Sequence, residues 1–168
     1  MNALKCLGIA ALLTAITALN AQAQPKRLIE QGSRQGTSWK VYLLNKKFVK
    51  EIKLGGETKK LYLAEMEINN SYSGTSKRTS LFQCSTSKPF VAFKDSSISG
   101  LAILHYINPG GEWFGYNVGA HRQYWAICHD LWQLPSDQWT SQAKKLGYST
   151  ELKSEQIEIP YELMQSLK

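Results

Sequence analysis

Motifs that carry chemistry are scarce in this chain. It contains no HExxH, no CxxC and no EF-hand loop, so the familiar zinc and calcium architectures have nothing to stand on. GxSxG and the glycine-rich phosphate loops of P-loop and dinucleotide-binding proteins are absent too, which removes the nucleophile-elbow hydrolase and nucleotide signatures. Acidic residues are scattered, without the apolar surroundings that mark a carboxyl of raised pKa. No internal repeat, low-complexity tract or βαβ alternation occurs. Beyond the first 23 residues, no apolar run is long enough to span a bilayer.

Cysteine is rare as well, and its distribution is informative. Residues Met1 to Ala23 have the pattern of a secretory signal: Lys5 in a positive n-region, an apolar run from Cys6 to Leu19, and Ala21-Gln22-Ala23 as a small-x-small cleavage site. Cys6 opens the apolar run instead of standing at the cleavage site, so no lipid anchor is expected. Cleavage near Ala23 leaves Cys84 and Cys128 of the three cysteines. An even pair in an exported, periplasmic or extracellular protein predicts a disulfide. Closing a loop across 44 positions corresponds to about 4 kcal/mol in chain-entropy bookkeeping. The mature chain is expected to form a flexible lead-in over 24–37 and one globular domain over 38–168.

Charge is unevenly placed. The full chain carries +7, from 20 basic and 13 acidic residues. Residues 24–60 hold ten bases, among them Lys40, Lys46, Lys47, Lys50, Lys53, Lys59 and Lys60, against Glu30, Glu51 and Glu57. The basic character therefore belongs to one section.

The patterning predicts strands first and helices afterwards. Trp39, Val41 and Leu43 alternate in a first strand, and Lys46–Leu54 follows as a second with a ragged face. Gly55-Gly56 is a turn signal. Beyond it Tyr62, Ala64, Met66 and Ile68 share one face of a strand, with Glu65 and Glu67 on the other. Asn69–Arg78 suggests a loop. Strands follow over Thr79–Ser85, Phe90–Lys94 and Leu101–Ile107, the first broken by Pro89 and the last by Asn108-Pro109-Gly110-Gly111. From Asn117, a plausible N-cap, Tyr124, Trp125, Cys128, Leu131 and Trp132 recur at helical spacing, predicting a disulfide-anchored helix near 119–134. Trp139, Ala143 and Leu146, closed by Gly147, suggest a short helix, and Pro160 begins another. Tyr148–Glu155 is a polar connection. The fold class predicted is α+β, with a largely antiparallel sheet of about five to six short strands and two short C-terminal helices.

A strand carrying Cys84-Ser85, short strands broken at Pro109-Gly110, and a helix carrying Cys128 form a layout over Trp39 to Cys128. It resembles the surface-adhesin (protein E type) domains of bacterial envelopes. The resemblance implies an exported protein that binds host or envelope components, and it supplies no catalytic residues. The extension from Leu131 onward lies outside it.

Four candidate sites remain. His121 and His129 on one helix would sit about 12 Å apart along its axis, too far to share a zinc ion; no metal or cofactor is expected. Cys84 with a later His suggests a thiol hydrolase, but Lys88-Pro89 interrupts the helix such a nucleophile needs, and a bridged Cys is no nucleophile. Lys46, Lys47, Lys50 and Lys53 are positioned to meet an anionic envelope polymer, or else to keep an edge strand soluble. Trp113, Phe114 and Tyr116, on an aromatic, glycine-rich stretch, suit stacking on a sugar or a protein surface, or equally the core. The function predicted is a non-catalytic binding or structural domain, with the thiol hydrolase and the polyanion binder as alternatives.

Overall fold

The computed structural model describes residues 25–111 and 117–167. Seven strands form one antiparallel sheet in chain order: β1 (Arg27–Arg34), β2 (Thr37–Leu54), β3 (Glu57–Asn70), β4 (Gly74–Cys84), β5 (Phe90–Lys94), β6 (Leu101–Tyr106) and β7 (Glu155–Pro160). Between β6 and β7 come α1 (Val118–His129), a 3-10 turn at Ser136–Gln138 and α2 (Trp139–Lys145); α3 (Tyr161–Ser166) closes the chain.

The sheet buries both of its faces. Tyr124, Trp125 and Ile127 of α1, with Trp139 and Ala143 of α2, pack on Val41, Ala64, Met66, Phe82 and Val91. On the opposite face, Met164 of α3 seals Leu61, Leu81, Phe90, Ala92, Ala102 and Leu104. This explains why β5, FVAFK, is apolar on consecutive residues instead of alternating. Gly110 lets α2 approach: a Cβ there would lie 2.4 Å from that of Ala143.

The expectation of an α+β fold with about five to six short strands is overturned by this topology. The sheet dominates, and its strands reach 18 residues, whereas the helices have 12, 7 and 6. Three local misreadings account for the difference. The lead-in 24–37 contains β1, which hairpins onto β2 through Gln35-Gly36 and is not a loose segment. The two strands read over 38–54 are one, in which the register shifts between Leu43 and Asn45 and again between Phe48 and Lys50. Each bulge inverts the alternation, which produced the ragged face. The polar stretch 69–78 turns only at 71–73, where Asn70 Oδ1 accepts the Tyr72 and Ser73 N–H groups at 2.8 and 3.1 Å, and then pairs as β4.

Two further differences concern the C-terminal half. The helix predicted over 119–134 stops at His129, because Asp130 takes a left-handed conformation at φ 54° and its N–H closes on the Trp125 carbonyl. Leu131, Trp132 and Leu134 still reach the core, from the turn that follows. The seventh strand, Glu155–Pro160, has two Ile alternating with polar residues, a largely exposed edge pattern too short to stand out.

Candidate functional site

β2 is longer than the neighbour on its outer side. β1 pairs with it only from Thr37 to Leu43, whereas β3 follows it to Leu54. From Asn45 to Leu54 the outer row of backbone donors and acceptors therefore has no strand partner among the described residues. Such an edge is a template for another strand.

Three braces hold this edge in place. At the tip, the Glu57 carboxylate lies in the loop 85–87. It accepts from Ser85 Oγ at 2.7 Å, from Thr86 Oγ1 at 2.9 Å and from the Ser87 N–H at 3.0 Å, and also from the Thr86 N–H and Ser87 Oγ. Partial burial pushes this carboxyl up, but the bonds from Ser87, Ser85 and Thr86 outweigh it and hold the pKa at about 2. In the middle, Lys60 of β3 lies opposite Cys84 of β4, and the Cys84–Cys128 disulfide ties that point to the last turn of α1. On the α1 side, Lys46 Nζ lies 3.3 Å from Asp130 and 4.7 Å from the centre of the Tyr62 ring, whose plane Phe48 meets edge-on.

The register separates the four lysines. Lys46 is opposite Ala64 and Lys53 opposite Thr58, on the face that carries α1; Lys47 is opposite Leu63 and Lys50 opposite Leu61, on the face that carries α3. A polyanion laid on either face meets two of them. Between them stand exposed Phe48 and Ile52, and just beyond them Leu54, 66 % accessible. Apolar and basic side chains thus alternate along an open edge. Trp113, Phe114 and Tyr116 lie outside the described residues.

Sequence reasoning missed two buried polar groups. Tyr124, Tyr148 and His129 form a chain of hydrogen bonds, 2.8 Å between the two hydroxyls and 2.7 Å from Tyr148 to His129 Nε2. Burial lowers His129 to a pKa of about 4, with Asp130 opposing and Lys46 assisting, so at neutral pH the ring that shares a hydrogen bond with the Tyr148 hydroxyl is uncharged. Burial pushes Tyr148 up to about 12. Only the tertiary fold brings these three together, and no spacing announces them.

The second group lies under the start of α1. Glu30 accepts from Trp39 Nε1 at 2.9 Å and from Gln123 Nε2 at 3.2 Å, while Gln123 Oε1 accepts from Arg78 at 3.0 Å. A Cβ on Gly119 would come within 2.9 Å of both Glu30 oxygens, so glycine there admits the carboxylate to the helix N-terminus. Glu30, Arg78, Gly119 and Gln123 line, with His105 and Gln156, a cleft of about 260 Å³. Gln123 bridges the Glu30 carboxylate and the Arg78 guanidinium, whose charges attract one another across it, and the network joins β1, β4 and α1.

The thiol-hydrolase constellation is not assembled, because the Cys84 sulfur is bonded to Cys128. Among the described residues, no three His, Cys, Asp or Glu side chains come together as a metal site, and no helix is long and apolar enough to cross a membrane. Compared with family models, with curated proteins and with solved structures, the chain finds no match.

Proposed function

We propose that this chain is an exported, non-catalytic binding or structural protein whose contact surface is the outer edge of β2. The observation that carries this reading is the unpaired backbone from Asn45 to Leu54, braced by a disulfide, a partly buried carboxylate nest and a surface ion pair. A braced edge loses little conformational entropy when a strand docks on it, which is what favours binding. The disulfide and the signal-like residues 1–23 fit export, with the mature chain starting at Gln24. The layout over Trp39 to Cys128, which resembles that of protein E type adhesins, would imply the same role.

Position-resolved photo-crosslinking in an exporting bacterial cell tests this. A photoreactive residue replacing Lys47, Lys50 or Ile52 is expected to give adducts of defined mass on the form that begins at Gln24. The same residue at exposed Thr140 of α2 is expected to give none. Equal yields at all positions, or no adduct from the edge, overturn the reading.

A further inference from the structure

We infer that the partner of the β2 edge is the β7 edge of a second copy, joined head to tail; this rests on the edge-binding reading above. β7 is the other end of the sheet, paired on one side with β6 and on its outer side with no strand among the described residues. Its charge is opposite. Glu155 and Glu158 stand on the strand and Glu151 and Glu162 flank it, all exposed, outnumbering the nearby bases Lys88, Lys94 and Lys153.

The lysines that guard an edge against its own kind exclude one pairing and favour another. Two β2 edges meeting would set lysines against lysines, and two β7 edges would set glutamates against glutamates. Only the unlike pair brings opposite charges together, so charge selects a heterologous contact over an isologous one.

The side-chain pattern agrees with this choice. After its second bulge β2 runs regularly from Lys50 to Leu54, close in length to the six residues of β7. Lys50, Ile52 and Leu54 lie on the α3 face, with Glu51 and Lys53 behind; Ile157 and Ile159 lie on the α3 face of β7, with Gln156 and Glu158 behind. β2 and β7 run in opposite directions within one sheet, so a second copy added with its faces aligned pairs antiparallel. One register then sets Ile52 opposite Ile159, Leu54 opposite Ile157 and Lys53 opposite Glu158, apolar against apolar and base against acid. Ile52, Leu54 and Ile157, all exposed in the single chain, become covered. The contact uses different surfaces on the two copies, so it propagates into open chains.

Sedimentation velocity of the mature, oxidised protein tests the inference. At low salt the weight-average mass is expected to rise with concentration well beyond two chains, and added salt is expected to reverse it. Lys50→Glu/Lys53→Glu and Glu155→Lys/Glu158→Lys are each expected to stay monomeric alone. Mixed in equal amounts they are expected to assemble again, because each reversed edge matches the other and the unaltered edges still match. Should a reversal disturb folding, as circular dichroism would show, Lys50→Gln/Lys53→Gln is expected to weaken assembly at least tenfold. Wild type that stays monomeric, a closed dimer that grows no further, or a mixture that stays monomeric would overturn the inference. If wild type stays monomeric while Ile52 crosslinks to another molecule in the cell, self-assembly fails and edge binding stands. No edge adduct at all removes both.

Discussion

Single residues set how the protein responds to acid. His129 titrates at about 4 in the fold and near 6.5 when unfolded. A depressed folded pKa contributes stability above the unfolded value, lost as pH falls from about 6.5 to 4, and up to about 3 kcal/mol is at stake. Burial lowers His105 and His121 as well, so they act in the same direction. Replacing His129→Gln keeps an acceptor for Tyr148 without a titrating ring. Urea midpoints measured from pH 7 to pH 4 are expected to fall less steeply in this variant than in wild type; identical slopes would remove His129 from the acid response. Glu57 acts lower on the scale, between about 4.5 and its folded value of about 2. Its side chain is 17 % exposed, so after solvent screening about 1–2 kcal/mol is the expected gain at neutral pH. Glu57→Gln is expected to lose that amount at pH 7 and to converge with wild type as pH approaches 2. A constant difference across that range would mean that the nest works by shape and not by charge. Neither residue was legible as important in the sequence, because Glu57 beside a turn and His129 beside a Cys resemble many surface residues. What distinguishes them is a set of partners 19 to 30 positions away.

At the scale of elements, the sequence conveyed alternation better than continuity. The faces of β3 were legible, with Tyr62, Ala64, Met66 and Ile68 together, because no bulge interrupts its pairing with β4. The pattern of β2 resembles two strands because bulges shift its phase twice. β1 and β7 escaped notice because edge strands are short and largely polar, and polarity alone resembles a loop. The Cys84–Cys128 pairing was legible from parity, and it is present. The bridge fastens the end of β4 to α1, two strands in from the open edge. Its reduction is expected to cost about 4 kcal/mol by chain entropy, read as a drop in thermal and urea midpoints under dithiothreitol. A reduced protein as stable as the oxidised one would show that the buried faces alone hold β4 to α1.

For the whole molecule, the decisive feature is a sheet whose two ends differ. One end has a basic, braced, partly uncovered strand, and the other an acidic one. Composition displayed the basic half of this asymmetry, since residues 24–60 hold ten of the bases. It could not display the acidic half, because the glutamates of 151–162 become an edge only once β7 is added to β6. The central claim is that the β2 edge is open yet rigid in the single chain. Peptide-resolved hydrogen exchange of the dilute, oxidised mature protein measures both properties at once. Over 45–54, the amides bonded to β3 are expected to exchange slowly and those facing outward quickly, giving a half-protected segment, and reduction of the disulfide is expected to speed the slow half. Full protection of 45–54 in the dilute protein would show the edge already covered, and full exchange would show it frayed; either result would contradict the account.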